Sequence, residues 1–257
     1  MKGPSGLARP RPGLAATREV AFLLILAAGA WVATIALARG MAGMTGTMGL
    51  GLALFVSVWT LMMAAMMLPS VAPTASLYAR TVQSNRAVRI TGLVVGYLAV
   101  WAVAGVPAFG LAWLTGWLTG NHPVAAHIVA VAVFAAVGIY QLSSFKDRCL
   151  AHCRSPLGLL LHYGSYRGRS RDLRVGAHHG GYCLGCCWAL MLILIAVGVM
   201  NVAVMAALAA VILAEKLWRY GKPFAHAVGV VLIAVGILAI WFPWLLPGLH
   251  VSGMPAM

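Results

Sequence analysis

The sequence predicts an all-α fold, a polytopic transmembrane helical bundle of six or seven helices. Three observations lead there. Hydrophobic residues make up 62% of the chain and charged residues only 9%, against about 25% charged in a soluble domain. The apolar residues gather in runs long enough to cross a bilayer, about 20 residues each. The 18 Lys and Arg lie almost entirely between those runs. Four acidic residues cannot build a water-facing shell around 257 residues, and lipid removes the need for one. A net charge of +14 on a soluble chain would suggest nucleic acid. Here the placement of the cations is that of the positive-inside rule, so the expected partner is the lipid bilayer and not nucleic acid.

The elements follow in order. Residues 1–19 carry Lys2, Arg9, Arg11 and Arg18 among three prolines and read as a disordered basic cytoplasmic arm. Residues 20–242 read as one transmembrane domain. Its first span covers 20–38. Ala36-Leu37-Ala38 resembles a signal cleavage site, but the run exceeds the roughly 7–15 residues of a signal core, so an uncleaved helix is expected. Residues 39–50 form a Gly-rich loop with Met41, Met44 and Met48, and 51–68 span again up to Pro69. Residues 70–89 are a basic connection. Residues 90–116 are the third span, Gly120-Asn121-His122-Pro123 an uncharged turn, and 124–145 the fourth span. Residues 146–182 are the longest polar stretch, a cytoplasmic loop, and 215–222 are basic again. Residues 224–242 are the last span and 243–257 a tail. Alternate crossings put the basic segments inside, with the N-terminus cytoplasmic in a cell inner membrane.

Residues 183–214 are too long for one simple span. A tight turn at Gly198-Val199-Met200-Asn201 would make a hairpin and seven helices; one long tilted helix would make six. The charge of 215–222 favours the hairpin, because it returns that segment to the cytoplasm.

All five cysteines fall within 39 residues. Cys149 and Cys153 are four apart; Cys183 and Cys187 are four apart, with Cys186 between them. Such offsets share a helix face, and His152 lies beside the first pair. One group sits where the fourth span leaves the membrane and the other where the next enters, so both lie at one depth. Their clustering and odd number argue against a disulfide framework. Thiolates select Cu(I), zinc or iron–sulfur centres. The candidate metal ligands are therefore Cys149, Cys153, Cys183, Cys186, Cys187 and His152, with His178 and His179 upstream. The bland alternative is that cysteine is a small apolar residue at home in membrane helices.

Methionine adds a second soft donor. Met62 and Met66 are an i,i+4 pair, Met63 and Met67 another. Thioethers also suit Cu(I), though methionine fills apolar interfaces as well. An outer loop with three Met exposed to water, a Met-lined helix and an inner cysteine group would make a soft-ligand path. Asn201 and Glu215 are polar residues at depth; Glu215 has Lys216 or Arg219 as an interfacial partner, and Asn201 can cap the proposed turn. No phosphate-binding Gly loop, His-Glu-x-x-His or dinucleotide fingerprint is present.

Four stretches carry a family resemblance: Trp59-Thr60-Leu61-Met62-Met63-Ala64-Ala65-Met66-Met67-Leu68-Pro69; Lys146 to Pro156 around Cys149 and Cys153; Gly181 to Met191 around Cys183, Cys186 and Cys187; and Gly198 to Asn201 with Glu215-Lys216. The chain resembles a bacterial family of predicted metal-binding integral membrane proteins, a domain of unknown function with some members called copper chaperones. The resemblance covers about residues 50–222 and implies metal binding by the five cysteines. The expected ligand is a soft metal ion, copper(I) favoured and zinc possible, handled, delivered or transported, with a partner metalloprotein as recipient. The competing readings are a membrane subunit of a metal- or thiol-dependent redox enzyme and a scaffold whose cysteines are incidental.

Overall fold

The structure, a computed structural model, describes residues 13–41, 44, 46–81, 85–155, 163, 166, 168 and 170–242. Among the described residues there are eight helices and no strand: α1 (Gly13–Gly40), α2 (Leu52–Thr81), α3 (Arg86–Asn121), α4 (Pro123–Gln141), α5 (Ser144–Arg154), α6 (Arg171–Val197), α7 (Val202–Leu217) and α8 (Gly221–Trp241). Six of them, all but α5 and α7, are long and apolar enough to cross a membrane. Their outer surfaces stay apolar: Ile25, Val32, Val103, Ile128, Val230 and Trp241 are all exposed. A surface of that kind is stable against hydrocarbon and not against water.

Several boundaries differ from the sequence expectation. Residues 13–19 belong to α1, so the helix starts inside the stretch read as a disordered arm; residues 1–12 and the tail at 243–257 lie outside the described residues. α2 does not stop at Pro69. It continues through Pro69 and Pro73 to Thr81. Each proline removes one backbone donor, a loss that a helix packed among other helices tolerates. The Ser70 hydroxyl donates to the Met67 carbonyl at 2.8 Å in the same turn. The 70–89 loop therefore shrinks to a short link. Much of the 146–182 loop is helical too, in α5 and the first turns of α6.

The turn at 198–201 forms. Gly198 ends α6 at φ +122°, a conformation that favours glycine. Asn201 caps α7, its Oδ1 accepting from the Val204 amide at 3.1 Å. The two arms are antiparallel, because the far end of α7 comes back level with mid-α6: Lys216 Nζ lies 2.8 Å from Cys183 Sγ. At about 1.5 Å per residue, the 16 residues of α7 rise about 24 Å, a short arm beside the 27 residues of α6.

Close approach of α3 and α6 sets the centre of the bundle. A Cβ on Gly96 would run into the Leu173 carbonyl, and one on Gly176 into the Leu93 carbonyl. Small residues at such crossings let backbones touch and replace the missing hydrophobic drive with dense packing. The same two helices and α2 are clamped at one end. There the Tyr78 hydroxyl donates to Asp172 Oδ1, and Arg89 Nε lies 3.3 Å from Asp172 Oδ2. α4 and α8 cross at Gly138 and Gly229, beside Gln141, and toward the opposite end His127 Nε2 lies 3.0 Å from the Ala239 carbonyl. Arg80 in the last turn of α2, Arg86 and Arg89 in the first turn of α3, and Arg171 and Arg174 in the first turn of α6 fall at the Asp172 end.

A methyl group tests the crossing. Gly176→Ala meets a backbone carbonyl that cannot swing aside, so it should destabilise by about 1–3 kcal/mol or more. Gly181→Ala, with nothing within 4 Å of the added carbon, should not. Thermal unfolding of the detergent-solubilised pair reads this; equal melting temperatures would contradict it.

Candidate metal centre

The cysteines come from two helices that are apart in sequence and packed side by side, α5 and α6. α5 is capped by Ser143, whose hydroxyl accepts from the Lys146 amide at 3.2 Å. One turn on, Lys146 turns inward, fully buried. Its ammonium donates to Glu215 Oε2 at 2.8 Å and to Gln141 Oε1. Gln141 Nε2 completes the triangle, donating to Glu215 Oε1 at 2.9 Å. The ends of α4, α5 and α7 are thus pinned at one point. Arg154, at the far end of α5, donates to the carbonyls of Glu215 at 2.6 Å and Arg219 at 3.2 Å. It supplies both partners and positive charge to the open C-terminus of α7.

This arrangement corrects one expectation. Glu215 does not pair with Lys216 or Arg219; its partner is Lys146, with both side chains about 1% exposed. Neighbours in a helix point in different directions, and Lys216 turns the other way. It donates to Cys183 Sγ at 2.8 Å and to Ser70 Oγ at 3.3 Å. The Tyr97 hydroxyl lies 2.8 Å from the same sulfur.

The clamp carries the cysteines with it. Cys153 of α5 meets Cys186 of α6, sulfur to sulfur, at 3.9 Å. Cys186 and Cys187 both direct their thiols at the Cys183 carbonyl, at 3.2 and 2.8 Å. Cys149 is buried against Gly185, where a Cβ would come within 3.1 Å of its sulfur. The Tyr140 hydroxyl donates to the Gly185 carbonyl nearby. The hydrogen bond with Cys186 holds the Cys153 thiol well above its ordinary value, and burial adds to that. Burial also raises the Cys149 thiol.

The other candidates separate. His152 stacks on Tyr182 with ring centroids 3.6 Å apart, and stands edge-on to His178. His178 in turn sits among Tyr163, Tyr166 and Tyr182. His179 is buried against Tyr97 on the Cys183 face of α6, and its Nδ1 has no hydrogen-bond partner among the described residues. Met62 and Met66 are wholly in the core. Their face of α2 continues to Ser70, so the thioether stripe runs down to the Lys216 contact. Of the loop methionines, Met44 is exposed, but Met48 is buried, at φ +59°, against the expectation that this loop is an open Met surface.

Among the described residues, no three His, Cys, Asp or Glu side chains are grouped closely enough to hold a metal ion. Two sulfurs are. With metal–sulfur bonds of about 2.3 Å, atoms 3.9 Å apart subtend about 116° at a shared ion. That angle lies between the tetrahedral and trigonal values, so the pair on its own suits a thiophilic ion, Cu(I) or zinc, that finds further donors.

Sequence reasoning missed Gln141, Lys146, Tyr97 and Ser70. The signal available was polar residues at the ends of apolar runs, where an unpaired charge is costly and a partner is therefore expected. The clamp makes a specific prediction. Lys146→Met alone leaves a buried carboxylate uncompensated and should destabilise by about 3–5 kcal/mol, whereas Lys146→Met with Glu215→Met should recover most of that. A melting-temperature cycle over the four proteins measures the coupling; additive losses would contradict it.

No curated protein and no solved structure matches the chain. The sequence model of the PpoB2 family, described as copper chaperone, matches residues 56–239, from the Met-bearing part of α2 into α8. That stretch holds all five cysteines and the whole of the clamp. The chain belongs to this copper chaperone family.

Proposed function

We propose that this protein is a multi-pass protein of the cell inner membrane that binds Cu(I) between Cys153 and Cys186 and hands it to a partner metalloprotein. The observation that carries the reading is the pair of sulfurs, one from each of two helices, 3.9 Å apart at the basic end of the bundle. The positive-inside rule places that end, with the N-terminus, in the cytoplasm. Cys149, Cys183 and Cys187 are further buried thiols on the same two helices, and His179 is a buried imidazole one turn before Cys183. Met62 and Met66 lie on the helix face that leads to the site from the opposite leaflet, and serve as weak thioether stations for the ion. Zinc is the competing ligand. The same sulfur pair also fits a second reading, a thiol-dependent redox subunit, in which Cys153 and Cys186 cycle through a disulfide.

Copper content decides between them. Protein purified without oxygen should take up Cu(I) stoichiometrically in competition with a coloured Cu(I) chelator, and Cys153→Ser or Cys186→Ser should abolish this. The Cys153 thiol, held well above its ordinary value, sheds its proton on binding, so Cu(I) affinity should rise with pH and fall on acidification. Met62→Leu with Met66→Leu should leave the equilibrium content intact and slow Cu(I) entry into proteoliposomes. Wild-type protein with no copper, but with a reversible disulfide between Cys153 and Cys186, would favour the redox reading.

A further inference from the structure

Lys216 is a cation in the middle of a group of candidate cation ligands, and nothing in the copper reading accounts for it. It is buried, with 9% of its surface exposed. Its neighbour Glu215 has both carboxylate oxygens engaged by Lys146 and Gln141. Among the described residues Lys216 makes no salt bridge with a carboxylate. Its nitrogen rests on Ser70 Oγ and on Cys183 Sγ, and the sulfur is the nearer at 2.8 Å. A desolvated ammonium needs electron density opposite it, and here a sulfur atom supplies it. Tyr97, also 2.8 Å away, approaches the same sulfur from α3.

We infer that Lys216 is a specificity-determining residue: with Tyr97 it withdraws Cys183 from the metal's donor set and keeps the site too poor in ligands for zinc. This rests on the copper reading above. Zinc in a closed protein site takes four ligands, commonly thiolates and imidazoles. The thiols are numerous enough to supply them: Cys183, Cys186 and Cys187 follow one another on α6, and Cys153 faces them. What they lack is a common meeting point: among the described residues no three of them are grouped, and Cys183 Sγ is held by contacts on two sides. A low-coordinate soft ion needs only the Cys153–Cys186 pair and is admitted. The ammonium further repels a divalent ion twice as strongly as a monovalent one at the same place. The conformation of Lys216 is fixed from α2 through Ser70 and from α7 by the Glu215 clamp, so the block is built into the packing of three helices.

The test uses the full chain in detergent, reduced and free of oxygen, with Zn(II), Co(II) and Cu(I) as separate probes. Lys216→Met should raise Zn(II) affinity by about 10–100-fold relative to Cu(I) and give the intense visible bands of tetrahedral cobalt–thiolate. Adding Cys183→Ser to Lys216→Met should cancel that gain. In the wild-type background, Cys183→Ser should cost Cu(I) affinity at least about tenfold less than Cys153→Ser. Unchanged zinc affinity in Lys216→Met, or a Cys183→Ser loss equal to that of Cys153→Ser, overturns the inference and leaves the copper reading standing. A wild-type chain that takes no Cu(I) overturns both. If Lys216→Met does not fold, Lys216→Gln gives the zinc comparison, and the two cysteine variants decide the rest with Lys216 in place.

Discussion

A carboxylate and an ammonium buried against each other, Glu215 and Lys146, govern the geometry of the basic end of this bundle. Neither has appreciable access to solvent. Each is costly to bury alone, so the two segments that carry them can rest in one relative position only. Gln141 fixes the third helix end at the same point, and Arg154 ties α5 to the last carbonyls of α7. The short amphipathic α5 buries Cys149 and Leu150 besides, though its sequence is largely polar. The clamp presses its cysteine face onto α6, and Cys153 reaches Cys186 as a consequence.

Packing supplies the complementary constraint. α3 and α6 approach until backbone meets backbone at Gly96 and Gly176. That contact brings Tyr97 to Cys183, and the α6–α7 hairpin, whose short arm ends level with mid-α6, brings Lys216 to the same sulfur. The candidate site draws on α2 for thioethers and a hydroxyl, α3 for a phenol, α5 and α6 for thiols, and α7 for an ammonium. Soft sulfur donors enclosed in an apolar bundle favour a soft ion, which agrees with the family to which the chain belongs.

Much of this was legible in the sequence. Apolar run length and the position of the cations gave the helical, multi-pass class, because lipid imposes both directly. Gly198 and Asn201 marked the hairpin, since a left-handed residue and an N-cap are local requirements. The cysteine spacing placed both groups at one depth, and the sulfurs of Cys153 and Cys186 do meet. The rest depended on tertiary contacts. Pro69 looked like a helix end because, taken alone, a proline breaks a helix, yet packing carries α2 past it. Glu215 looked like the partner of its sequence neighbours because the approach of α5 is not written in spacing. Met48 looked exposed because its loop is polar in setting, though it folds back onto the core. Lys216 was visible only as a charge near a helix end; that it faces a thiol follows from the hairpin register.

The central claim is that the sulfur atoms of two different helices hold one copper ion. Copper X-ray absorption on the Cu(I)-loaded full chain tests it most directly, since the fine structure counts sulfur neighbours of the metal. A first shell containing two sulfurs, and losing sulfur when either Cys153 or Cys186 becomes serine, is the predicted result. A shell made of nitrogen and oxygen alone, or one that keeps its sulfur when both residues are replaced, would contradict the account.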